Sequence, residues 1–106
     1  MSNSRIEIFE QMLRAEPENT AVMFGLAKEY EKAERHEGVV NLLTKYLETA
    51  DDEGNAYGML ARAYERLGRR EEARRAYERG IEVADAHGHP SMAEDFRMLL
   101  ETNFED

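Results

Sequence analysis

Apolar residues recur along this chain three and four positions apart, in two ungapped copies of one pattern. Met23, Leu26, Ala27, Tyr30 and Ala33 form one helical stripe, and Tyr57, Leu60, Ala61, Tyr64 and Leu67 form its counterpart. A second stripe follows each of these. It runs through Val39, Val40, Leu43, Tyr46, Leu47 and Ala50 in the first copy, and through Ala73, Ala76, Tyr77, Gly80, Ile81 and Ala84 in the second. Gly68 falls between the stripes of the second copy, where a left-handed helix cap is wanted. Glu34 and Arg35 fill that turn in the first copy, a weaker stop signal. Each copy therefore predicts a helical hairpin.

The flanks add one helix each. Ser4 to Glu7 has capping-box spacing, which predicts a helix from near Arg5 to about Arg14, closed off by Pro17. Ser91 to Glu94 repeats that spacing after the break His87-Gly88-His89-Pro90. Met92, Phe96, Leu99 and Leu100 then make one apolar face. The expected fold class is all-α, with about six helices.

The copies agree residue by residue. Setting 20–53 on 54–87 pairs identical residues at Leu26/Leu60, Ala27/Ala61, Tyr30/Tyr64, Glu31/Glu65, Arg35/Arg69, Glu37/Glu71, Glu48/Glu82, Ala50/Ala84 and Asp51/Asp85. Lys stands against Arg at 28/62, 32/66 and 45/79. Self-similarity at a fixed period of this size marks a stacked repeat, in which neighbouring hairpins bury faces that neither could bury alone.

These residues resemble the tetratricopeptide repeat, whose motif runs Trp, Leu-Gly, Tyr, Ala, Phe and Pro. Met23 and Tyr57 stand in the Trp place, Leu26-Ala27 and Leu60-Ala61 replace Leu-Gly, and Tyr30 and Tyr64 match directly. Val39 with Leu43, and Ala73 with Tyr77, take the Ala and Phe places, and Asp51 and Asp85 the Pro place. Arg5, Phe9 and Pro17 fit the back half of a preceding repeat, so the resemblance covers roughly 5–87. It implies a right-handed solenoid of helical hairpins in a single domain over 1–106. Residues 4–19 would be the second helix of a partial repeat, 20–53 and 54–87 full repeats, and 90–104 a capping helix. The last is read as a cap because Glu94 and Asp95 fall where Leu-Gly belongs, and a solenoid needs a polar outer face at its end.

Net charge narrows the partners. The chain carries −9 overall, which argues against nucleic acid, whose phosphates reward basic surfaces. The window from Arg62 to Arg79 reverses the sign, with seven Arg against four Glu. There is no Cys, so neither disulfide nor thiolate metal site is available. No apolar run reaches the roughly 20 residues of a membrane span, and the N-terminus has no signal-peptide pattern. The expected setting is cytoplasmic, with no membrane partner and no cofactor.

Catalytic chemistry finds no support. Ser2 is terminal, Ser4 and Ser91 read as caps, and the carboxylates sit at solvated helical spacings beside Arg or Lys. Asp85, His87 and His89 lie within five residues, but His36 belongs to the other turn, so the segment reads as a polar loop around the Gly88 cap rather than a metal site. Arg69, Arg70, Arg74, Arg75 and Arg79, diluted by Glu71, Glu72 and Glu78, read as a solvated face on the convex side.

The resemblance implies that the first helix of each hairpin lines a concave, peptide-holding surface. Phe24, Lys28 and Lys32 flank the core stripe of the first copy, and Asn55, Arg62 and Arg66 that of the second. With Met59 as a further apolar contact, these are the candidate peptide-binding residues. Like charges at i,i+4 are mildly unfavourable, and the chain repeats them at Lys28/Lys32 and Arg62/Arg66. Glu31 and Glu65 share the row, so a salt-laced exposed helix is the competing reading. The residues match no complete set for clamping a partner's C-terminal carboxylate, since Phe24 and Met59 stand where Lys and Asn would be. The expected function is a non-enzymatic adaptor that binds a protein or peptide segment, acidic in character, on its concave face. The alternative is a self-associating scaffold, a homodimer through the N-terminal helix, with Ile6, Ile8 and Phe9 partly uncovered and Phe104 as a second contact.

Overall fold

The computed structural model describes residues 2–104 and contains six α-helices and, among the described residues, no strand. They are α1 (Ser2–Ala15), α2 (Thr20–Lys32), α3 (His36–Thr49), α4 (Asn55–Arg66), α5 (Arg70–Ala86) and α6 (Pro90–Phe104). Contacts divide the chain into two compact units, one ending at Ala50 and the other beginning at Asp51.

In the first unit α2 packs against both α1 and α3. Ile6, Val22, Met23, Leu26, Ala27, Val39, Val40 and Leu43 form its core. Each large apolar side chain buried there contributes about 1.5–3 kcal/mol over its exposed state. Helix α1 begins earlier than its capping-box pattern indicates, which places Ser4 inside the helix. Pro17 follows the end of α1 as expected, because the helix stops at Ala15. Ile6 is buried at 1% exposure, not partly uncovered; Phe9 is half-buried, its ring resting on Gly25, and Ile8 is exposed at 57%. Asn19 caps α2, its side-chain oxygen accepting from the Val22 amide at 3.1 Å.

In the second unit α5 packs against α4 and α6. Ala56, Leu60, Ala61, Ala63, Ala73, Ala76, Tyr77 and Ala84 line the α4–α5 seam with side chains that are mostly small. Phe96 of α6 drives into that seam. A Cβ at Gly58 would stand 2.9 Å from its ring, and a Cβ at Gly80 also 2.9 Å. Two helices without side chains at these points thus make a slot one aromatic ring wide. Asp52 caps α4 by accepting from the amides of Gly54 at 2.8 Å and Ala56 at 3.0 Å. Helix α6 starts at Pro90, so Ser91 lies within its first turn rather than before it. Its buried face is Ala93, Phe96 and Phe104, and Leu99 turns outward beside Met98. The outer side of the last helix is accordingly not uniformly polar.

The two hairpin turns are built alike. The Arg35 amide donates to the Tyr30 carbonyl and the Arg69 amide to that of Tyr64, both at 2.9 Å. Glu34 and Gly68 donate one step inside, to Glu31 and Glu65, both at 3.1 Å. This is the Schellman pattern, and it demands a left-handed residue, Gly68 at φ 74° and Glu34 at φ 59°. The same bonds recur after α5, with Gly88 at φ 75°.

Candidate functional site

The predicted contact residues divide between α2 and α4. On α2, Lys28 and Lys32 are exposed and Phe24 is half-buried. Phe24 stacks obliquely on Tyr46 of α3 at 5.4 Å between ring centres. The Lys28 ammonium lies 5.3 Å above the Phe24 ring, a cation–π contact that leaves the charge in water. Lys32 reaches back to Glu29 at 3.5 Å. On α4, Asn55, Arg62 and Arg66 are exposed. Met59 is not: at 5% exposure it belongs to the core of its unit and offers no surface to a peptide. Its helical spacing placed it beside the stripe, but the buried side of α4 is wider than that stripe and takes in Ala56, Gly58, Met59 and Ala63 as well.

Glu29 escaped the sequence reading altogether. It is buried at 4% exposure, the one buried charged residue among those described. Arg5 of α1 meets its carboxylate at 3.3 Å and Lys32 at 3.5 Å, so the buried charge is paired from two helices. The repeat itself carried the signal, because Glu29 takes the place that Ala63 takes in the second copy, and Ala63 is buried too.

Each unit also holds a tyrosine hydroxyl on a glutamate of a neighbouring helix. Tyr30 donates to Glu10 of α1 at 2.7 Å, and Tyr77 of α5 to Glu65 of α4 at 2.8 Å. Burial first, and the carboxylate second, push the Tyr30 phenol up to about 12. The same causes in the same order raise Tyr77. Glu65 also accepts from Asn103 at 3.2 Å, so its bonds run to both α5 and α6. Beside Tyr30 the first unit has a cleft of about 560 Å³ lined by Glu10, Leu13, Arg14, Pro17, Leu26, Tyr30 and Leu42. None of the predicted contact residues lines it.

The arginine cluster does structural work. Arg70 donates to the Asn103 carbonyl at 2.9 Å and Arg74 to that of Phe104 at 3.3 Å. Both guanidinium groups lie over the Phe104 ring, at 5.0 and 5.7 Å. They satisfy the carbonyls that the last turn of α6 leaves without an intrahelical donor. Phe104, expected to be an exposed contact, is consequently buried at 6% exposure. In the loops, His87 meets Asp51 at 3.5 Å and His89 bonds Glu53, which holds the Glu53 carboxyl below its usual range. No group of three His, Asp or Glu side chains among the described residues is arranged to hold a metal ion. No helix of the described residues is long and apolar enough to cross a membrane.

Comparison with known proteins bears on the fold. Residues 54–87 match the family model for the tetratricopeptide repeat. A solved structure titled MamA MSR-1 C2 aligns over 95% of this chain and 68% of its own, with a TM-score of 0.71 and 19% identity. At that identity the likeness is one of fold. No curated protein sequence matches the chain.

Proposed function

We propose that this chain, with a tetratricopeptide repeat at 54–87 and the helical-repeat fold of that type, is a non-enzymatic module that holds an acidic peptide segment. The repeat and the fold support a protein-interaction role at the coarse level. The finer reading rests on one observation: both copies place exposed cations at the same two positions of their first helix, Lys28 and Lys32, then Arg62 and Arg66. Lys28 is held over an aromatic ring rather than spent in a tight ion pair, and Asn55 adds a neutral donor and acceptor. Phe24 supplies apolar contact; Met59 is left out of the site. Contacts of this kind give specificity and a fast, salt-sensitive encounter more than tight affinity.

The test is binding of a fluorescent glutamate-rich peptide, with a lysine-rich one as control. Lys28→Glu with Arg62→Glu should weaken capture of the acidic peptide at least ~10-fold, equivalent to ~1.4 kcal/mol, and leave the helical circular dichroism unchanged. Added salt should weaken capture by the unaltered chain. Equal capture by the charge-reversed variant removes the proposal.

A further inference from the structure

We propose that the cleft of the first unit binds a free apolar α-amino acid of leucine size, its ammonium on Glu10 and its carboxylate on Arg14. At about 560 Å³ the cleft falls within the usual range of ligand pockets. Its walls are apolar: Leu13, Pro17, Leu26 and Leu42. Leu26 belongs to the core of the unit, whereas Leu13 and Leu42 are only half-buried. An apolar side chain entering here covers surface that the fold itself leaves open to water.

Two charges select the occupant. Glu10 and Arg14 both line the cleft, four residues apart on one side of α1. Glutamate ahead of a basic residue at this spacing is the order that favours a direct ion pair. No such pair forms. Glu10 instead accepts from the Tyr30 hydroxyl at 2.7 Å, a bond that engages one oxygen of its carboxylate and directs it to α2. Arg14 is exposed and has no ion pair or hydrogen bond among the described residues. The Tyr30 phenol is raised to about 12, so the hydroxyl keeps its proton, and Glu10 its bond, at neutral pH. The cleft thus presents an anion and a cation side by side but unjoined, next to apolar walls. A ligand with a carboxylate alone would meet Glu10, and one with an ammonium alone would meet Arg14, each at a cost. An α-amino acid carries both charges and an apolar group on a single carbon, and so answers all three features. Both charges of the site stay in contact with water, so the expected Kd is near ~1 mM.

The primary measurement is a titration of the isotope-labelled full chain with leucine, followed by the amide resonances of Glu10, Arg14, Tyr30 and Leu42. Leucine should move them to saturation, and serine, with the same charges and no apolar body, should not. N-acetylleucine, which mimics the end of a protein chain, and leucinamide, which mimics its beginning, should each bind at least ~3-fold more weakly than leucine. Arg14→Gln and Glu10→Gln should each weaken leucine binding ~3–5-fold, the glutamine at 10 still able to accept from Tyr30. Absence of any shift at ~10 mM leucine overturns the proposal. So does equal binding of N-acetylleucine, which would make this a docking point for a chain terminus, or equal binding of leucinamide or serine. Neither Lys28 nor Arg62 lines the cleft, so peptide capture on α2 and α4 succeeds or fails independently of this result.

Discussion

Glu34 holds a backbone φ of 59° where its counterparts at the other two turns are Gly68 and Gly88. The left-handed conformation brings Cβ against the following carbonyl and costs an ordinary residue roughly 1–2 kcal/mol. The turn keeps it because the Arg35–Tyr30 and Glu34–Glu31 bonds close the end of α2. Replacing Glu34 with Gly should relieve that strain and stabilise the first unit by about 1 kcal/mol, after the entropy that Gly adds to the unfolded chain. A higher urea midpoint at unchanged slope would report it. Here the sequence was informative: the absence of Gly at 34 marks the weaker turn, and the structure shows the same turn made at a cost. Glu29 is the opposite case. Its side chain looks solvent-bound in isolation, and Arg5 from α1, joining Lys32 of its own helix, makes its burial tolerable. Pairing across helices is a tertiary fact that no local spacing carries.

Among the elements, α6 depends on a slot that its own sequence does not describe. Gly58 and Gly80 leave no side chain on either side of the Phe96 ring, and each would set a Cβ 2.9 Å from it. Aromatic rings give little at such a distance, so Gly80→Ala should destabilise the second unit by ~1–3 kcal/mol, against a smaller gain in helix propensity. Adding Phe96→Leu should return part of that loss, since a narrower side chain vacates the slot. Thermal unfolding of the two single variants and the double variant gives the coupling directly, and additivity within error would show that the contact is not shared. The helical hairpins and their stripes were legible because period 3.6 is a one-dimensional signal. The face of α6 was legible only in part. Phe96 was expected inside and is; Leu99 was expected inside and is not; Phe104 was expected outside and is held by Arg70 and Arg74. That grip joins residues more than thirty positions apart, which is why Arg70 and Arg74 read as surface charge. The same limit applies to the binding residues. Exposure of Lys28, Lys32, Arg62 and Arg66 followed from their offset from the stripe, whereas Met59, equally offset, is buried because the buried side of α4 is wider than its stripe.

Across the molecule, one device occurs in both units: a tyrosine hydroxyl, half or wholly buried, donating to a glutamate of another helix. Burial and the carboxylate both favour the neutral phenol in the folded chain. A tyrosine in the unfolded chain loses its proton near pH 10. Because the folded value for Tyr30 is raised to about 12, its contribution is whole below pH 10 and is lost as pH rises from 10 through about 12. Tyr77 is raised as well, so the second unit loses stability over the same alkaline approach. Denaturation followed at a series of pH values should show that decline, and Tyr30→Phe should make it shallower while lowering stability at neutral pH through the lost bond. The ring of Phe96 between two bare helix positions has a further bearing, on ancestry rather than on energy. Residues 58, 80 and 96 form a lock, so related chains should change position 96 wherever 58 or 80 is changed. A branch that gained a side chain at 58 or 80 would have shed the aromatic group at 96 at the same stage of its history.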